Sequence, residues 1–291
     1  FGSDKALKYA MRKMWNERGE KVLYFKSMKL STINGKTSLN PRSLEERYIA
    51  LFPQEGDKAK IQDDAKTILH NIFSAVDAKN FGATFPIKGC NLSITGAVQI
   101  GQGFNKYDYA TPMTQNILSP FRDGTKDKKD DAGEADKEAG NSSLGTQIIT
   151  DEAHYFYPFV INPNAYKEWE ALKVTDGYTE DDYKKFKEAA LKAVTMQNSC
   201  TKAGCSNEFA LFVESDPDFA VGDLTELISF KKSKDKNTID LSKCFEKIGK
   251  LSDHITSVEL YYDPETTDLI LTNAGDKVKL FDITNQVDLL K

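Results

Sequence analysis

Histidine and cysteine are scarce. The three histidines, His70, His154 and His254, stand far apart in 291 residues. A histidine relay or a histidine-rich metal centre therefore has no spacing to start from, and each is read as a structural residue. Four cysteines, Cys90, Cys200, Cys205 and Cys244, are too scattered for a disulfide framework, which points to a reducing cytoplasm. Cys200 and Cys205 would supply half of a zinc site, but no second ligand pair at suitable spacing follows. The G-x-S-x-G, Walker and H-E-x-x-H patterns are missing. Asp63-Asp64 and Asp181-Asp182 are adjacent pairs read on helices, where neighbours do not face each other, so they are read as solvated faces. No metal or cofactor is expected. Apolar runs of membrane-spanning length are missing too, and no secretory signal opens the sequence as given.

What is present is enough apolar sequence, 40% of residues, for one large domain with insertions or for two smaller ones. The formal net charge is −5. Its distribution is uneven. Residues 1–106 carry 17 Lys and Arg against 10 Asp and Glu, and the remainder carries 22 against 34. An acidic total of this kind leaves room for a basic working face toward nucleic acid.

Hydrophobic spacing predicts a first helix in "SDKALKYAMRKMWNERG", capped by Ser3 and ended by Gly19. "EKVLYFK" (20–26) reads as a strand. Residues 27–42 read as a loop with turn signals at Asn34-Gly35 and Asn40-Pro41. Residues 57–77 read as a long amphipathic helix. Glycine-punctuated strands follow over 79–103, with glycines at 82, 89, 96, 101 and 103. Glycine inside a strand marks a bulge or a close approach by another chain. Residues 122–145 contain almost no large apolar side chain and read as a surface excursion. "HYFYPFVIN" (154–162) reads as a buried strand. A second long helix opens at Thr179, and strands are expected at 208–215, 255–263 and 277–283, with a short helix at 241–251. The alternation indicates an α+β fold with helices on one face of a mainly antiparallel sheet. An RNA-recognition-like, ferredoxin-like unit decorated by insertions is the simplest member of that class.

Lys5, Lys8 and Arg12 fall at i, i+3 and i+7, so they form one stripe beginning at the helix N-terminus. Free backbone amides and the helix dipole favour an anion there, and a phosphate would meet Ser3 together with those cations.

Several segments together resemble one family, the "Cas-seven" backbone subunit of CRISPR Cascade complexes in the RAMP superfamily, with the type I-B branch most similar. "GSDKALKYAMRK" resembles its first helix, although the family ordinarily opens with a strand and an Asn-Pro-Asn-Gly loop ahead of it. "KNFGATFPIKGCNLSITGAVQIGQGF" resembles its Phe-Gly strand and the strand after it, with Ala97 in a position usually held by proline. "HYFYPFVINPNAYKE", "YTEDDYKKFKEAALKAVT" and "EFALFVESDPDFAVGDLTELISF" resemble its later elements in order. The stretch 196–208 replaces one that is commonly more basic in the family.

The resemblance implies a modified RNA-recognition palm with finger insertions at 1–109 and 151–291, and a thumb-like insertion at 110–150. It implies a non-catalytic filament subunit that binds CRISPR RNA beside further copies of itself and other Cascade subunits, and presents the guide to target DNA in antiviral defence. The expected RNA-binding residues are Ser3, Lys5, Lys8, Arg12, Lys26 and Lys29, with Lys79, Lys88, Gln99, Gln102, Asn105 and Lys106 around the glycine-rich strands. Met113 and Ile117 are the expected thumb wedges. On this reading the glycines let RNA or a neighbouring thumb lie against the sheet. The alternative is a RAMP ribonuclease that cuts target RNA. That chemistry is usually assigned to an acidic residue in the loop after the first helix and strand, and residues 27–40 contain no Asp or Glu. A small-molecule enzyme on a ferredoxin-like fold would need a convergent acid, base and nucleophile, which the sequence does not supply.

Overall fold

The structure is a computed structural model, and it describes residues 1–54, 60–87, 90–122 and 142–290. Lys88, Gly89 and most of the polar excursion lie outside the described residues. The helices are α1 (Asp4–Glu17), α2 (Leu44–Leu51), α3 (Ala65–Ser74), α4 (Val76–Phe81), α5 (Lys167–Ala171), α6 (Glu180–Lys192) and α7 (Ser242–Lys250). The strands before residue 123 are β1 (Met28–Ile33), β2 (Lys36–Pro41), β3 (Gly82–Ile87), β4 (Cys90–Thr95), β5 (Val98–Ile100), β6 (Phe104–Asn105) and β7 (Pro112–Arg122). After it come β8 (Ser142–Thr150), β9 (Tyr155–Phe156), β10 (Phe159–Ile161), β11 (Phe209–Ser215), β12 (Ser229–Lys231), β13 (Asn237–Asp240), β14 (Ile255–Tyr262), β15 (Thr267–Ile270) and β16 (Val278–Asp282). The chain divides into a larger unit, 1–104 with 156–291, and a smaller one, 105–155.

The result is a mixed α/β fold of small sheets in place of one broad antiparallel sheet. In the larger unit, β11–β14–β16 and β12–β13–β15 are three-stranded, and β1–β2, β3–β4 and β5–β10 are pairs. Two of the pairings, β13 with β15 and β14 with β16, are parallel. Among the described residues, three apolar cores hold this unit. The first packs Met11, Met14 and Trp15 of α1 against Phe186 and Leu191 of α6, with Val98, Phe212 and Tyr261. The second gathers Tyr48, Phe73, Phe85 and Tyr166, and the third sets α7 against β11 and β14. Local signals explain the helix ends. Ser3 accepts a hydrogen bond from the Ala6 amide, and Thr179 forms a capping box with Asp182. Gly19 ends α1 at φ +81°.

The expected strand at 20–26 does not form a ladder. Side chains satisfy much of its backbone. Asp77 is wholly buried and accepts the Leu23 and Tyr24 amides at 2.7 and 2.9 Å, while Arg47 donates to the Val22 carbonyl. The same anchoring breaks the long helix expected at 57–77. Ala75 takes an extended conformation, and the Val76 amide donates to the Lys21 carbonyl at 2.9 Å. Upstream, Asp64 caps α3, and Asp63 accepts from Tyr48, Gln54 and Asn71, so this pair is not a solvated helix face. The 27–42 loop is instead the hairpin β1–β2. Asn34 and Gly35 both have positive φ, which suits the tight turn that matches strand twist. Pro158 and Tyr157 separate the 154–162 segment into two short strands.

The glycines have an internal explanation. A Cβ on Gly82 would lie 2.2 Å from the Ile94 carbonyl oxygen, and one on Gly96 would lie 2.2–2.3 Å from the backbone of Phe81 and Gly82. At Gly103 it would meet the Tyr157 ring, and at Gly101 the Pro158 ring. The partner that comes close to these four positions is the chain itself.

Candidate nucleic-acid interface

The N-terminal face of α1 is already furnished with an anion. Asp4, in the first turn, accepts from the Lys8 ammonium at 3.1 Å and from Gln102 at 3.3 Å. Burial works to raise its carboxyl, but the Lys8 ammonium, the Lys5 amide and Gln102 together hold it below the usual carboxylate range. Ser3 spends its hydroxyl on the cap. A phosphate at this helix end would have to displace a resident carboxylate. The signal was in the sequence, since an acidic residue directly after the cap residue is what the helix dipole favours.

The basic stripe also divides. Arg12 donates to Asp77 at 3.1 Å, and its guanidinium lies over the Tyr24 and Phe81 rings. Lys8 sits over Phe81 at 5.3 Å. Burial pushes the Tyr24 phenol up to about 12, so it stays a neutral part of this packing. Lys5 is different. It is exposed, and its ammonium has no partner among the described residues. The same holds for Lys26. Lys29 pairs with Glu46 at the base of the β1–β2 hairpin.

Around the glycine-rich strands the expected residues separate further. Lys79 is 7% exposed, with its ammonium 2.6 Å from Thr175 and 3.8 Å from Asp182, over the Phe73 and Tyr166 rings. It is a core cation. Burial lowers its pKa against the opposing pull of Asp182, Asp176 and Glu170. Gln99 is exposed and donates to the Gly96 carbonyl, and Gln102 holds Asp4. Lys88 lies outside the described residues.

The smaller unit is built around the β7–β8 hairpin. Met113 pairs with Ile149 and Ile117 with Gly145, so side-chain alternation places Met113, Gln115, Ile117, Gln147 and Ile149 on one face. Met113 and Ile117 are 47% and 46% exposed. At the root, the Asn105 carboxamide accepts the Tyr107 and His154 amides, which is a structural use of that side chain. Lys106 starts the same turn, its amide bonded to the His154 carbonyl. Buried His154 sits 3.0 Å from Glu152. Among the described residues, no three His, Cys, Asp or Glu side chains are placed to share a metal ion. No described helix is long and apolar enough to cross a membrane.

Comparison with known proteins defines the class. A profile described as "CRISPR-associated protein Cas7" matches residues 1–249. The chain belongs to the Cas7 family of CRISPR-associated proteins. A search of curated proteins found no match. Solved structures that match include a chain of a "CRISPR RNA-guided surveillance complex, pre-nicking", at 13% identity and TM-score 0.41, covering 95% of this chain and 79% of that one.

Proposed function

We propose that this chain is a non-catalytic backbone subunit of a type I CRISPR surveillance complex, of the I-B branch, that binds guide RNA. The family match across 1–249 carries the reading. On it, residues 1–109 and 151–291 form a palm of modified RNA-recognition fold with finger insertions, and 110–150 is the thumb. Copies stack along one CRISPR RNA beside other Cascade subunits, and the guide is presented to target DNA. Sequence is then read by base pairing, while the protein holds backbone and shape. Two features support this assignment of parts. Lys5 and Lys26 are exposed cations, unpaired among the described residues and suited to phosphate. Met113 and Ile117 stand on one face of the hairpin, where apolar side chains can wedge between bases.

The test is equilibrium binding to a guide-length RNA across a salt series. Lys5→Ala with Lys26→Ala should weaken binding regardless of RNA sequence. The log–log salt slope should fall by about one unit for each phosphate that is no longer neutralised. An unchanged slope in the folded double variant removes these two lysines from the interface. Regular cuts in complementary RNA by highly purified protein would favour the ribonuclease alternative.

A further inference from the structure

Tyr9 lies on the solvent side of α1, 47% exposed. Its ring stacks on Phe25, with centroids 5.7 Å apart and planes 25° apart. Phe25 is half-buried against the core that contains Met11 and Trp15, so the floor of the stack is fixed. Phe25 covers one face of the Tyr9 ring. Its hydroxyl has no partner among the described residues, so nothing in the fold asks for a tyrosine here. Lys5 lies four residues before Tyr9 on the helix, hence on the same side, and Lys26 follows Phe25 directly. Both side chains are exposed and unpaired among the described residues, whereas Lys8, Arg12 and Lys13 are each held by a carboxylate.

An exposed aromatic ring stacked on a fixed second ring, with exposed cations nearby in sequence that have no partner among the described residues, is an arrangement suited to binding single strands. The ring stacks on a base through its π-face, and the cations take the neighbouring phosphates. We propose that Tyr9, backed by Phe25, is a stacking platform for one unpaired base of a single-stranded RNA, with Lys5 and Lys26 on the phosphates beside it. The proposal rests on the RNA-binding reading above and adds an interaction with a base where that reading has interactions with backbone. Stacking tolerates any base, which suits a protein that must accept guides of differing sequence.

The experiment compares wild type, Tyr9→Leu and Tyr9→Phe. Each binds a single-stranded RNA and an abasic ribose-phosphate strand of equal length, over the same salt series. Melting temperatures establish that the variants fold. Wild type should prefer the base-bearing strand. Tyr9→Leu should lose on the order of tenfold or more on that strand, little on the abasic one, and keep its salt slope. Tyr9→Phe should retain the preference. Equal losses on both strands, or no loss on either, overturn the platform while leaving RNA binding intact. Failure of wild type to bind either strand overturns the RNA-binding reading and the platform with it. Loss of association between RNA-free copies in Tyr9→Leu, with base preference unchanged, would assign the ring to a protein interface and reject the platform. A direct readout comes from Tyr9→Trp, whose added fluorescence should be quenched by the base-bearing strand and not by the abasic one.

Discussion

Asp77 is fully buried, and its carboxylate meets two backbone amides and the Arg12 guanidinium. Removing it strands all three donors. Asp77→Ala should cost on the order of 3–5 kcal/mol, measured by denaturant unfolding. Arg12→Ala removes the counter-charge bonded to the carboxylate and should cost about 3 kcal/mol, so an RNA-binding defect in that variant would be uninterpretable. Lys5→Ala and Lys26→Ala should stay within about 0.5 kcal/mol of wild type, because both side chains are exposed and have no partner among the described residues. Cysteine reactivity separates on the same logic. Cys200 and Cys205 are exposed, whereas burial holds the Cys244 thiol up at about 11. At pH 8 only roughly one Cys244 in a thousand would be thiolate, and that thiol is enclosed. Alkylation mapped by mass spectrometry should mark Cys200 and Cys205 within minutes and Cys244 only after unfolding. Rapid labelling of Cys244 in the folded protein would contradict its placement.

Elements that depend on local signals were legible in the sequence, and elements that depend on distant partners were not. α1, α6 and α7 follow from apolar spacing and caps, and the structure places them within a few residues of the expected bounds. Segment 20–26 has the composition of a strand, but its amides are taken by Asp77, more than fifty residues away. No local pattern announces such a partner. The β1–β2 hairpin was missed for the opposite reason. Its Asn-Gly turn is a strong signal, but Met28, Leu30 and Leu39 are exposed, so the strands lack the half-buried alternation that identifies a strand. The candidate site follows the same division. Lys5 and Lys26 could be read from sequence, whereas the engagement of Arg12 by buried Asp77, and of Lys79 by Asp182 and two aromatic rings, needed the fold. Two predictions belong at this scale. Gly82→Ala and Gly96→Ala drive a Cβ into backbone that cannot rotate away, and each should destabilise by about 3 kcal/mol or more. Asn34→Val forces a β-branched residue into positive φ. Amide exchange should then accelerate through 28–41, while the midpoint of global unfolding moves little, because none of the hairpin side chains among the described residues is buried.

For the whole molecule, an acidic total coexists with a basic N-terminal third, and the chain belongs to the Cas7 family. The proposed role needs repeated copies on one strand of RNA. It needs no bond-breaking, and tight binding of a ground-state phosphate does not accelerate cleavage. The most direct measurement is to assemble the purified protein on a single guide RNA and digest the complex with a small ribonuclease. The protected fragments are then read on a denaturing gel beside the intact guide and a labelled complementary strand. The account predicts cooperative assembly, protection that repeats at a constant spacing along the guide, and both strands uncut by the protein itself. Met113→Asp with Ile117→Asp should blur that spacing and leave the folded state intact, since both side chains are exposed. Protection without a repeat, binding that does not respond to salt, or regular cleavage of the complementary RNA would contradict it.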